Sequence, residues 1–148
     1  MFRFRDGKFS VLTSKEGLAS NWPLAMYEDA DGVLWVGSNG DGLTRIAGGQ
    51  LTAIRPEQGL WDGVVQSILE DRQGQFWITC NRGFFRVARS DLNALAQGRL
   101  TRVRSMVFGA GDGLRNITFA SGVQPNAAID GAGRLWLPSL KGLVVVDP

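Results

Sequence analysis

The chain repeats itself at intervals of about 42 residues, and this constrains its fold more than any other feature. Glu28–Ser38 (EDADGVLWVGS), Glu70–Cys80 (EDRQGQFWITC) and Ile129–Ser139 (IDGAGRLWLPS) align without gaps. Each copy is preceded by a Gly-Leu pair (Gly17-Leu18, Gly59-Leu60, Gly113-Leu114). Each is followed by a glycine that opens an apolar run, at Gly42-Leu43, Gly83-Phe84 and Gly142-Leu143. Trp35 and Trp77 lie 42 residues apart and Trp77 and Trp136 lie 59 apart, so the third unit carries about 17 extra residues, between Arg89 and Gly111. A fixed period of this length marks an architecture in which every unit is one small supersecondary element that buries its apolar face against its neighbours.

Within the period the apolar runs are short and strand-like. They fall at 23–29, 33–38, 42–47 and 51–56 in the first unit, and at 64–71, 75–80, 83–89 and 99–108 in the second. The third offers 122–130, 134–139 and 142–147, without a fourth. Phe2–Arg5 and Lys8–Thr13 read as the last two strands of a preceding unit. Four strands in roughly 40 to 45 residues is the content of a β-propeller blade. The predicted fold is therefore all-β: about three four-stranded antiparallel blades forming an incomplete ring. The boundaries are 1–13 for the end of a preceding blade, 14–56 for a blade, 57–108 for a blade with an insertion at 90–98, and 109–148 for the last blade. The 20 glycines agree with this, since each internal Gly costs a helix about 1 kcal/mol relative to Ala.

All three units place D-x-x-G between their first two strands: Asp29 to Gly32, Asp71 to Gly74 and Asp130 to Gly133. Asp can accept backbone N–H bonds at the first position of a turn, and Gly tolerates positive φ where the next strand begins. These carboxylates are thus expected to form turns rather than to bind metal or catalyse. The repeated tryptophans are expected to fill the space between neighbouring blades.

Composition narrows the function. The 16 basic and 14 acidic residues are interspersed and no basic stripe emerges, so no nucleic-acid partner is expected. The chain has no histidine, which removes the commonest general base and metal ligand, and its single Cys80 is expected to be a buried, inert thiol. No phosphate-binding glycine loop and no nucleophile with a matched base occurs. A paired-carboxylate glycosidase is the one enzymatic option left open. The expectation is a non-enzyme with no cofactor and no metal. No apolar run resembles a signal peptide or a membrane span.

The strings G-L-x-x-N at 17–21, E-D-x-D-G-V-L-W-V-G-S at 28–38 and G-D-G-L-T-R-I at 40–46 closely resemble the two-component regulator propeller repeat. The stretch from Asp112 to Pro148 is similar to the last blade of that family's propellers, and the short helical insertion Asp91–Gly98 resembles the segment that precedes it. The resemblance implies the ligand-sensing propeller of a bacterial signal-transduction receptor, located in the periplasm. It also implies that membrane attachment, an immunoglobulin-like domain and a kinase or diguanylate cyclase output would belong to absent parts of a parent chain. The second unit departs from the pattern at Thr79-Cys80-Asn81-Arg82-Gly83, where a small-residue loop is usual.

Strand direction alternates within a blade, so the loops joining strands two and three emerge on the same face as the inter-blade loops. That face is expected to collect Asn21, Trp22, Trp61, Asp62, Arg115 and Asn116 from the inter-blade loops, and Asn39, Asp41, Asn81, Arg82 and Lys141 from the others. Amides, charges and indoles together suit a small polar ligand or saccharide, because rings stack on it and polar groups orient it. Three blades do not close a ring, and open ends expose apolar faces and strand edges. The expected partners are therefore a second copy of the chain or the neighbouring blades of a longer parent chain. The alternative to a sensor segment is a stand-alone binding or interaction module, lectin-like or scaffolding, that acts as a homo-oligomeric propeller.

Overall fold

A computed structural model describes residues 1–114, 118–120 and 125–148. A two-residue turn at Asp6-Gly7 joins β1 (Phe2–Arg5) to β2 (Lys8–Val11). Both turn residues adopt positive φ, 51° and 75°, the geometry that fits the twist of a tight hairpin. The first blade follows as β3 (Pro23–Glu28), β4 (Leu34–Ser38), β5 (Leu43–Ala47) and β6 (Gln50–Ile54), an antiparallel sheet in chain order. The second blade consists of β7 (Ser67–Glu70), β8 (Gln75–Cys80), β9 (Gly83–Ala88) and, after helix α1 (Arg89–Ala96), β10 (Met106–Phe108). The third contains β11 (Ala128–Ile129), β12 (Leu135–Ser139) and β13 (Gly142–Val146).

The strands match the sequence reading closely in the first blade and less closely after it. The run predicted at 99–108 is a strand only from Met106. Before that, the Arg99 and Leu100 N–H groups donate to the Ala94 carbonyl at the end of the helix, the Val103 N–H donates to the Gln58 carbonyl at 2.8 Å, and the Ser105 hydroxyl donates to the Gly59 carbonyl at 2.8 Å. The strand expected at 122–130 is limited to Ala128–Ile129, and 122–124 lie outside the described residues. The insertion does form a helix. Its Leu92 and Leu95 enter the core between the first two blades, and Asn93 accepts a 2.6 Å bond from the Arg45 Nε–H of β5.

The D-x-x-G turn does more than reverse the chain. Asp29 Oδ1 accepts the N–H groups of Asp31 and Val33, both at 3.0 Å, and its Oδ2 accepts the indole N–H of Trp35 at 2.9 Å. Asp71 binds Gln73, Gln75 and Trp77 in the same way, at 2.9, 2.9 and 2.7 Å. Asp130 does so with Ala132, Arg134 and Trp136, at 3.0, 3.0 and 3.0 Å. One carboxylate thus closes the turn and satisfies the polar atom of a ring whose apolar body is buried, which an unpaired indole N–H would make costly.

The tryptophans then link blade to blade. Trp35 is wholly buried and meets Phe76 of the second blade edge-on, with ring centroids 5.1 Å apart. Trp77 packs in a second cluster with Phe84, Phe119, Leu135 and Leu137, joining the second blade to the third. Arg89, at the start of α1, reinforces the first junction. Its guanidinium contacts Asp29 at 3.2 Å, Asp31 at 2.5 Å and Glu70 at 2.8 Å, and Glu70 also accepts the Tyr27 hydroxyl at 2.9 Å.

Candidate functional site

The loops between blades and the loops between second and third strands interlock through their backbones. The Asn39 N–H donates to the Trp22 carbonyl at 3.0 Å, and the Gly40 and Gly42 N–H groups both donate to the Gly63 carbonyl, at 3.1 and 2.8 Å. The Val65 N–H then bonds Ser38 at 2.9 Å. Approach this close requires glycine. A Cβ on Gly63 would collide with the Gly40 carbonyl oxygen, and one on Gly42, where φ is +90°, with that of Ile54. These contacts place residues 20–22, 39–42 and 61–64 on one surface, and the Arg82 loop joins it through side chains.

Trp61, Asp62 and Arg82 form its best-defined cluster. Arg82 lies over the Trp61 ring, 4.6 Å from the centroid, and donates to Asp62 Oδ2 at 3.0 Å and to the Trp61 carbonyl at 2.9 Å. Asp62 uses its other oxygen to hold the turn, accepting the Val64 N–H at 2.9 Å. Trp61 is also anchored from below by an edge-on contact with Phe85. The result is a fixed indole carrying a cation whose side chain is 62% exposed, an arrangement that can stack against a ring and bind an oxygen at its edge.

The other expected residues divide. Trp22 is 66% exposed at the surface, and Asn39 is exposed beside it. Asn21 accepts the Ser14 N–H at 2.8 Å. Asp41 faces Arg55 at 3.7 Å. Asn81 accepts the Gln66 Nε2–H at 2.8 Å. Lys141 is exposed in the β12–β13 turn of the third blade, and its backbone N–H donates to Ser139 Oγ at 3.3 Å. Arg115 and Asn116 lie outside the described residues.

Two residues were missed. Gln66 is 3% exposed; its amide nitrogen holds Asn81, its carbonyl accepts Asn126 Nδ2–H at 2.7 Å, and its Oε1 is buried without a hydrogen-bond partner among the described residues. Its signal was available, since the matching positions in the other units are Leu24 and Pro125 and a buried amide there is out of pattern. Arg89 was read only as the edge of an insertion. Its partners Asp29, Asp31 and Glu70 are distant in sequence, so nothing local pointed to it. A groove of about 540 Å3 lies away from the expected face, beside the D-x-x-G turn of the second blade, lined by Gln75, Arg86, Asp91, Arg104 and Met106 among others. Cys80 is buried, and that burial pushes its thiol pKa up to about 12.

The two-component regulator propeller profile matches residues 17–40 and 59–82, the first two units. These two segments match the two-component regulator propeller repeat, over about a third of the chain. No curated protein matches the chain in sequence. Among solved structures it is similar to the extracellular domain of a hybrid two-component system of B. thetaiotaomicron, at TM-score 0.61 and 19% identity over 87% of this chain and 17% of that one. A second such extracellular domain from the same organism matches at TM-score 0.54 and 16% identity over 97% of this chain and 24% of its own. PorZ, a surface component of the type-IX secretion system of Porphyromonas gingivalis, matches at TM-score 0.57 and 17% identity over 83% and 17%. The chain therefore spans between a sixth and a quarter of the length of these relatives, and at such identities the likeness establishes the propeller fold.

Proposed function

We propose that this chain is a ligand-sensing propeller segment of a bacterial signal-transduction receptor, and that it binds rather than transforms its ligand. The observation that carries this reading is the Trp61–Asp62–Arg82 cluster, which presents a fixed indole and an accessible guanidinium on the loop face. The repeat type and the extracellular two-component domains that share the fold support the receptor setting and a periplasmic location. No helix among the described residues is long and apolar enough to cross a membrane.

The ligand class that suits the face is a small polar molecule or saccharide. A sugar ring stacks on Trp61 or Trp22, and Arg82 takes an oxygen. The carboxylates Asp29, Asp31 and Glu70 converge on Arg89 and are occupied by it, which makes them a structural group and not a hydrolytic pair. The domain boundaries given above are part of this proposal, with the insertion helix assigned to the second blade.

The test is calorimetric titration of neutral and uronate-bearing oligosaccharides into the wild-type chain, Trp61→Ala and Arg82→Ala. The expected result is a saccharide whose binding falls at least tenfold in Trp61→Ala, with Arg82→Ala weakening uronates more than neutral sugars. Binding that is unchanged in both variants would overturn the assignment.

A further inference from the structure

A groove of about 380 Å3 opens beside Trp61, lined by the loop Gly59–Trp61 and the segment Arg102–Ser105. It lies between the first two blades, because Gly59–Trp61 joins β6 to β7 and Arg102–Ser105 leads into β10. The two walls are fastened to each other. To the bonds from the Val103 N–H and the Ser105 hydroxyl onto the loop carbonyls is added an approach that only glycine permits. At Gly59, where φ is +105°, a Cβ would run into the Val103 carbonyl oxygen and against the stem of Arg102. Val103 is buried in the core, and its two neighbours, Arg102 and Arg104, are exposed.

These two guanidinium groups are not spent on the fold. Elsewhere Arg45 bonds Asn93, Arg55 faces Asp41, Arg82 holds Asp62 and Arg89 gathers three carboxylates. Arg102 and Arg104 make no hydrogen bond or ion pair among the described residues, and no carboxylate among those residues lines the groove. Two like charges held two positions apart on a fastened segment repel each other, and both gain when an anion is shared between them.

We infer that this groove is an anion-binding subsite, in which Arg102 and Arg104 together take an anionic ester group, a sulfate or a phosphate. A carboxylate has two oxygens, which a single guanidinium fork satisfies, whereas a sulfate or phosphate ester offers three and can engage both arginines at once. Trp61 is a wall of the groove, so a ring stacked on its indole can carry such a group into it. That service to a stacked ligand rests on the function proposed above, whereas capture of an inorganic anion does not.

The test is an amide NMR titration of the chain with sodium sulfate and with sodium phosphate, against sodium chloride at matched ionic strength, repeated on the double variant Arg102→Gln/Arg104→Gln. Both side chains are exposed, so the variant should fold, and circular dichroism checks that it does. The expected result is saturable shifts at residues 59–61 and 102–105 that chloride does not produce, with affinity at least about tenfold weaker in the variant. Shifts that grow alike in all three salts, or equal affinity in the variant, would overturn the inference. Calorimetry with an oligosaccharide, its O-sulfate and its O-phosphate then tells the two esters apart. The ester that binds more tightly than the neutral parent names the group, and its advantage should vanish in the double variant while the parent binds as before. Esters that bind no better than a parent that does bind would also overturn it. Anion capture without any saccharide binding would sink the stacking reading alone, and saccharide binding without anion capture would sink the subsite alone.

Discussion

Replacing Asp29 by Ala should destabilise the protein far more than replacing Asp130, although both carboxylates hold the same two turn N–H groups and the same tryptophan indole. Asp29 has no exposed side-chain surface, and its removal strands the indole N–H of Trp35, which is wholly buried. An unsatisfied buried donor costs about 1–3 kcal/mol, and the lost bonds to the Asp31 and Val33 N–H groups add about 0.5–1.5 kcal/mol each. The sum, about 2–6 kcal/mol, is a large part of the roughly 5–15 kcal/mol that holds a typical domain together. With a urea m-value of about 2 kcal/mol/M, the unfolding midpoint should move down by about 1–3 M. Trp136 and Asp130 are partly exposed, so water replaces what Asp130→Ala removes and its midpoint should shift much less. Urea unfolding followed by tryptophan fluorescence measures both. Equal shifts would refute the reasoning, because they would mean that turn closure alone, and not the buried indole bond, sets the cost.

Arg89→Gln should cost about 2–3 kcal/mol through its lost charged hydrogen bonds, and the cost should depend on pH. Burial pushes the Asp29 carboxyl up, but the Trp35 indole N–H, the Val33 N–H, Arg89 and the Asp31 N–H outweigh it and hold the group below its ordinary 3.8. A depressed carboxylate stabilises the fold above its unfolded pKa and ceases to as pH falls through the folded value. The gap between wild type and Arg89→Gln should thus be full near neutrality and narrow below about pH 4, as read by chemical unfolding across pH. A gap that widens on acidification would contradict it. Cys80 should resist a thiol reagent in the folded chain at mildly alkaline pH, since its thiol is buried and its pKa lies near 12. Colorimetric thiol titration with and without denaturant shows this, and rapid labelling without denaturant would contradict it.

The blade was legible because its signals are local. The D-x-x-G turn, the tryptophan six residues after its aspartate and the glycine that opens the third strand all lie within one period, so alignment alone placed β3 to β6 within a residue or two. The same alignment contained the Asp–Trp bond, visible as a constant spacing, yet the aspartate was read only as a turn former. Legibility fell where structure depends on distant partners. Residues 99–105 have strand-like composition, but Ala94 of the helix takes the Arg99 and Leu100 N–H groups, and Gln58 and Gly59 of the preceding loop take the Val103 N–H and the Ser105 hydroxyl. Arg89 gains its role from residues up to 60 positions away, and Gln66 from Asn81 and Asn126. The loop face was inferred from strand alternation, which placed Trp61, Asp62 and Arg82 together but carried no information on Asn21, whose side chain answers to Ser14.

The central claim is that a polar ligand is taken on the loop face, and the most direct measurement is an amide NMR map of the chain titrated with oligosaccharides. The account predicts saturable shifts confined to residues 20–22, 39–42, 61–66 and 81–82, with the Trp61 indole N–H among the largest. Shifts centred instead on the D-x-x-G turns, or a spectrum that no saccharide changes, would contradict it.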